Sequence, residues 1–287
     1  MGDGLRAPRP PGPERAAELR QRFAEEARSE RPDLAELCPR LAAAGDATLD
    51  DAGMDAVQIE LDRLAGELPY RPGEARAWAG ALAELLGGRY GFQGVQADYQ
   101  RLESSLLHAV LRRRRGLPIL LSVVWLEVAR RAGAQGYGVA LPGHFVVGFG
   151  ARGDQVLADP FDGGRVLSGD DAEALVVGAT GVRLDPAMLA PASAVDVVLR
   201  VLNNVRGWAA ARPERSDVAL WAVELALSLP SHPAQLRYER ARLLVERGEF
   251  LVGAGELEAY AEVVAGVDAR AAEGVRGEAR CARARLN

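Results

Sequence analysis

Residues 118–132 read PILLSVVWLEVARRA, a run with no helix breaker after its first residue and with apolar side chains on nearly every face. Proline has a fixed φ and no N–H to lose, which suits the first turn of a helix. A helix that is apolar all round has to be buried all round, so the rest of the chain must wrap it. Gly133 supplies the stop. The segments after this glycine are short and two-faced. Residues 137–141 read as a strand leading into the turn Pro142-Gly143. From His144 to Phe149 the side chains then alternate, with Phe145, Val147 and Phe149 on one side and His144, Val146 and Gly148 on the other. Residues 150–154 read as a hairpin turn and 155–159 as the returning strand.

Antiparallel pairing sets residues symmetric about the turn face to face, which brings His144 near Asp159. A carboxylate beside an imidazole fixes its tautomer and raises its basicity, the relation found between the second and third members of a catalytic triad. Each residue also has a plainer reading. His144 can be a core histidine satisfied by Asp159, and Asp159, ahead of Pro160, can be a turn residue capping nearby amides. Ser122, the hydroxyl nearest the start of the buried helix, is either a nucleophile or a serine bonded back to its own helix. Gly143, Gly163 and Gly164 supply turn geometry or let a ligand approach the backbone.

The stretches GLPILLSVVWLEVARRAG, LPGHFVV and ADPFDGG together resemble the SirB1 type of the transglutaminase-like superfamily, whose members carry a helical N-terminal part and often a tetratricopeptide-like tail. LGGRYGFQGVQADYQRLESSLLHAVL upstream and residues 199–264 downstream are similar as well, so the resemblance covers most of the chain. In active members of the superfamily a cysteine at the start of the buried helix attacks an acyl group, and a strand histidine and an aspartate complete the triad. The resemblance puts His144 and Asp159 in those two roles. It puts the thiol position near Pro118 or Ile119, and the two cysteines are Cys38 and Cys281. The SirB1 type shows the same departure.

The remaining pattern is mainly helical. Helices are expected over residues 14–27, 33–44, 54–68, 74–86 and 104–111, the last running into the tetrad Arg112 to Arg115, read as a solvated helix end. Ser168-Gly-Asp-Asp is a capping-box signal before a helix to about residue 177. Residues 185–192 read as a linker. Helices over 194–212, 216–229, 233–247 and 250–264 resemble tetratricopeptide units, with Trp221, Leu225, Leu243 and Tyr260 as packing residues and fewer than two full repeats. The last twenty or so residues form a final, weakly held helix. The expected fold class is α+β, divided into a flexible tail (1–13), a helical region plus transglutaminase-like core (14–190) and a helical tail (191–287).

Several chemistries are excluded. All 35 basic residues are arginine, so no P-loop, pyridoxal phosphate or protein-kinase lysine exists. Gly148-Phe-Gly-Ala-Arg-Gly153 has the letters of a dinucleotide loop but lies in a hairpin, where a strand and not a helix comes next. Two distant cysteines and three scattered histidines give no zinc spacing, and the aspartates at 159, 162, 170 and 171 read as a solvated acidic loop. No cofactor is expected. A net charge of −5 argues against a nucleic-acid partner, and the longest apolar run is too short to span a bilayer. With no apolar signal core at the start, the expected location is cytoplasmic, with both thiols reduced.

Three functions fit these features. The leading one is a non-catalytic or cryptic transglutaminase-like protein that binds a protein or small ligand near His144 and Asp159. The second is an acyl-transfer or amide-hydrolysing enzyme using Ser122, His144 and Asp159. The third is a scaffold that recruits a protein partner through the helical tail.

Overall fold

The structure is a computed structural model and describes residues 7–68, 73–151, 153 and 155–285. Its organising element is the helix expected from the apolar run. Helices α1 (Pro13–Ala27), α2 (Leu34–Gly45), α3 (Asp51–Gly66), α4 (Ala75–Leu82) and α5 (Leu107–Arg113) precede α6 (Pro118–Arg131). Every residue of α6 from Pro118 to Ala129 is buried. Complete burial of a large aliphatic or aromatic side chain contributes about 1.5–3 kcal/mol, so Leu121, Val123, Val124, Trp125 and Val128, none of them measurably exposed, make α6 the centre of the main core. The one acid on this helix, Glu127, is also buried, and Arg130 and Arg131 hold its carboxylate. Arg131 in turn reaches Asp62 on α3 at 2.7 Å.

Strands β1 (Gly136–Val139), β2 (Val146–Phe149), β3 (Val156–Asp159) and β4 (Arg165–Leu167) form one antiparallel sheet in the order β1-β2-β3-β4. The fold is therefore α+β: mainly helical, with a small antiparallel sheet. β4 was not expected; at three residues it is too short to show an alternation. The two faces of β2 are divided as the sequence implies. Phe145, Val147 and Phe149 join the core built on α6, while Val146 joins a second cluster with Val139, Leu157 and Val176. Val176 belongs to α7 (Gly169–Thr180), whose capping box is formed by Ser168 and Asp171.

Beyond α7, residues 185–192 are fastened to the sheet. The Ala192 N–H donates to the Gly138 carbonyl at 2.9 Å, and Pro191 bridges Val139. Helices α8 (Ala194–Ala210) and α9 (Ser216–Leu227) then pack into the main core, whereas α10 (Gln235–Glu246), α11 (Phe250–Ala265) and α12 (Ala269–Ala284) build a core of their own from Ala241, Leu257, Ala261 and Ala279. α9 to α12 are four helices packed in sequence, each against the next. The final helix carries four buried residues.

Some stretches differ locally from the expectation. Residues 83–89 are wound as a π-helix after α4, where periodicity alone suggested continuous α-helix. The wider turn brings the Gly87 backbone against Gly163, where an added Cβ would fall 1.9 Å from the Gly163 carbonyl oxygen. Of the expected flexible tail, residues 1–6 lie outside the described residues. The Arg9 carbonyl accepts from Ala47 N–H at 2.8 Å, and the Pro8 carbonyl accepts from Arg215 at 2.6 Å. Arg152 and Asp154 of the expected hairpin turn also lie outside the described residues. Among the described residues no helix is long and apolar enough to cross a membrane.

Candidate functional site around His144 and Asp159

The chain turns sharply just before β2. Pro142 presets φ and Gly143 takes φ +73°, so the His144 N–H reaches back to the Leu141 carbonyl at 3.2 Å, the pattern of a type II turn. The turn leaves His144 two residues before the strand, on the face carrying Val146. The β2–β3 register runs Val147↔Ala158, Gly148↔Leu157 and Phe149↔Val156. Continued by one residue, it sets Asp159 opposite Val146. His144 is therefore the diagonal neighbour of Asp159 rather than its direct partner, and because two residues is one full pleat they still share a face.

The contact is close: His144 Nε2 lies 2.9 Å from Asp159 Oδ2. The carboxylate as acceptor places the ring proton on Nε2. The other carboxylate oxygen, Oδ1, accepts the Phe161 N–H at 2.9 Å and caps the short 3₁₀ turn Pro160–Asp162. The two readings of Asp159, imidazole partner and turn cap, hold together, one on each oxygen. The Phe161 ring stands edge-on to His144 with centroids 5.9 Å apart, and Tyr99, on the 3₁₀ turn Gln96–Gln100, meets Phe161 at 6.2 Å. The Gly94 N–H donates to the Phe161 carbonyl, and a side chain on Gly94 would collide with the ring.

Ser122 is not drawn into this arrangement as a nucleophile's geometry requires. It is fully buried on the second turn of α6, and its hydroxyl donates to the Phe145 carbonyl at 3.4 Å. The bond crosses from helix to sheet and is not the bond back into the same helix that its position suggested. Cys38 is buried on α2 and Cys281 is exposed on α12, both unpaired. Burial pushes the Cys38 thiol above its usual range, with Glu127 and Asp33 adding to the effect. A thiol held in its protonated form is a poor nucleophile.

Other polar residues resolve into structural roles. Arg113 and Arg115 clamp the buried Asp98 at 3.2 and 3.1 Å, and Arg114 lies over the Tyr90 ring. Half of the basic tetrad is thus folded inward, which corrects its reading as a solvated helix end. Asp162 and Asp171 both pair with Arg165. Among the described residues no three His, Cys, Asp or Glu side chains gather as a metal site.

Two features went unread in the sequence. Arg200, on α8, donates from Nη2 to the carbonyls of Leu141 and His144, tying the Pro142-Gly143 turn to the helical layer. A second histidine–aspartate pair joins His108 of α5 to Asp46 at the end of α2, with Nε2 and Oδ2 3.1 Å apart. Its partners are 62 residues apart in the chain, so no local motif marks it. The third histidine, His232, bonds the Leu229 carbonyl and lines a cavity of about 310 Å³ with Arg240, Glu256 and Tyr260.

Residues 55–203 match the transglutaminase-like superfamily, and residues 206–287 match the tetratricopeptide repeat. The chain is 32% identical over 249 residues to a UPF0162 protein of Xylella fastidiosa, covering 83% of this chain and 80% of that one. It is 28% identical over 178 residues to human F-box only protein 21, covering 58% of this chain and 28% of that larger protein. Among solved structures, menin superposes with a TM-score of 0.46 at 15% identity, covering 95% of this chain and 71% of menin.

Proposed function

We propose, on the premise that this chain belongs to the transglutaminase-like superfamily and to the UPF0162 family, that it acts by binding and not by acyl transfer. The observation that carries this reading is a histidine–aspartate pair set beside a hydroxyl that is turned elsewhere. His144 and Asp159 keep the geometry of a base and its orienting acid, while Ser122 donates to Phe145 and both cysteines lie on other helices. A triad without a nucleophile can polarise and orient a bound group but cannot form a covalent intermediate. The SirB1-type assignment belongs to the same reading, because that type lacks the thiol too. A cytoplasmic location accords with two unpaired cysteines.

A second reading, a protein partner held by the helical tail, is favoured by the tetratricopeptide match and by the exposed Leu251, Val252 and Val263 on α11. Truncation at Ala192 cuts into a core shared with α8 and α9, so surface substitutions on α11 are the better probe of that idea.

The main reading is tested with a fluorophosphonate probe and an amide-hydrolysis and amine-transfer assay on the full-length protein. No labelling and no turnover are expected. Labelling lost in Ser122→Ala, or turnover abolished by His144→Ala in a folded protein, would replace it with the serine-enzyme reading.

A further inference from the structure

Beside the His144–Asp159 pair stands a positive charge to which the protein offers no carboxylate. Arg200 is half-buried, and Nη2 alone accounts for its hydrogen bonds, at 2.6 Å to the Leu141 carbonyl and 2.8 Å to that of His144. Among the described residues no acid lies within ion-pair distance of it, and Nε and Nη1 have no hydrogen-bond partner. Other half-buried arginines are treated differently: Arg113 and Arg115 hold Asp98, Arg131 holds Glu127 and Asp62, and Arg240 holds Glu224 and Glu256. Arg212 also lacks a carboxylate, but it stacks on Trp208 at 4.4 Å and bonds the Trp208 and Gln100 carbonyls. Arg200 lies 5.8 Å from the Phe145 ring, a looser contact.

Its surroundings suit an incoming anion with an apolar body. Asp159 makes no ion pair with Arg200; its two oxygens meet the Phe161 N–H and His144. Tyr99 lies within reach of the charges of Arg200 and Asp159, is 36% exposed, and its hydroxyl has no hydrogen-bond partner among the described residues. The rings of Tyr99 and Phe161 form a short aromatic wall leading to His144. With both Nη2 hydrogens taken, Nη1 remains to donate a single charge-assisted hydrogen bond to a carboxylate, and partial burial strengthens it.

We infer that Arg200 and Tyr99 form a carboxylate-binding subsite beside the His144–Asp159 pair, for a ligand whose aromatic or apolar part lies against Phe161. The inference rests on the non-catalytic reading of this site and supplies its ligand class. A peptide C-terminus and a free organic acid carry the same chemistry.

The test is a titration of the full-length protein, monitored through the ring resonances of His144 and Tyr99. The probes are N-acetylphenylalanine as chain end, 3-phenylpropanoate as free acid and N-acetylphenylalaninamide as uncharged control. Saturable shifts with the acids and binding at least about tenfold weaker for the amide are expected, the size of a lost charge-assisted hydrogen bond. The tighter acid identifies the source. Arg200→Gln should weaken acid binding by about tenfold, and Tyr99→Phe, at a partly exposed ring that keeps its packing, should weaken it several-fold even if the arginine variant does not fold. Shifts absent with both acids, or equal for acid and amide, would overturn the subsite. Conversion of the amide to the acid during the titration would instead overturn the non-catalytic reading.

Discussion

The Ser122 hydroxyl donates across the helix–sheet boundary to the carbonyl of Phe145, the residue next after His144. At 3.4 Å the bond is long, and a typical intramolecular hydrogen bond contributes only about 0.5–1.5 kcal/mol net. Ser122→Ala is therefore expected to unfold in urea within about 1 kcal/mol of the parent. The His144 ring resonances should not move. A loss above about 3 kcal/mol would mean that the serine holds more of the site than this one bond.

Asp159 carries two separable loads. Asp159→Ala removes the cap on Phe161 and the partner of His144 together, and about 2–4 kcal/mol of destabilisation is expected for a buried position. Asp159→Asn keeps an oxygen for the cap and should cost about half as much. Equal urea midpoints for the two variants would show that the charge beside His144, and not the cap, dominates.

Gly87 approaches the 163–164 turn backbone to backbone. A Cβ at Gly87 would fall 1.9 Å from the Gly163 carbonyl oxygen, while at the neighbouring Gly88 the nearest atom is 3.8 Å away. Overpacking of this kind typically costs about 1–3 kcal/mol. Gly87→Ala should lower the melting temperature and shift the His144 ring signals, because the turn it displaces begins at Asp159, and Gly88→Ala should do neither. Matching behaviour of the two variants would count against the contact.

How much of this was legible in the sequence depends on the reach of each interaction. The buried helix, the Pro142-Gly143 turn, the Ser168 cap and the shared face of His144 and Asp159 all arise from rules acting over a few residues. Parity along a strand survives even though Asp159 stands opposite Val146 and meets His144 only diagonally. The contacts that complete the site come from far along the chain. Arg200 reaches the His144 carbonyl from 56 residues away, and Asp46 reaches His108 across 62. Neither leaves a spacing to recognise. The arginine tetrad misled because its buried partner Asp98 lies 15 to 17 residues earlier on a 3₁₀ turn, at no helical spacing from it. The π-helix at 83–89 packs against Gly163, more than seventy positions further along the chain, and that contact leaves no local trace in the sequence.

Asp171 offers a test of the capping geometry in solution. Hydrogen bonds from the Ser168 hydroxyl and N–H, then Arg165, hold its carboxyl down to about 2. A depressed carboxylate stabilises the folded state fully above its unfolded value of about 3.9, and that contribution is lost as the pH falls through the folded value. A carbon-detected titration should place the Asp171 midpoint near 2, and Ser168→Ala should move it up toward about 3.9. A wild-type midpoint already in the ordinary range would mean the cap is open in solution.

The His108–Asp46 pair predicts acid sensitivity of the helical layer. Asp46 Oδ1 accepts from both the N–H and the hydroxyl of Thr48, leaving Oδ2 to His108 Nε2–H. His108 Nδ1 is buried with no partner, so a second ring proton would have no acceptor. Burial accordingly lowers the His108 pKa below its usual value; Asp46 opposes the shift and Arg112 adds to it. Because the folded value is the lower one, the unfolded chain binds the proton first. Stability is then complete above about 6.5 and declines as the pH falls through that value toward the folded pKa. Urea unfolding between about pH 8 and 5 should show this decline, and His108→Gln, which cannot titrate, should flatten it while His144 and His232 remain. A slope unchanged in His108→Gln would assign the acid sensitivity to another group and leave the buried pair a structural contact only.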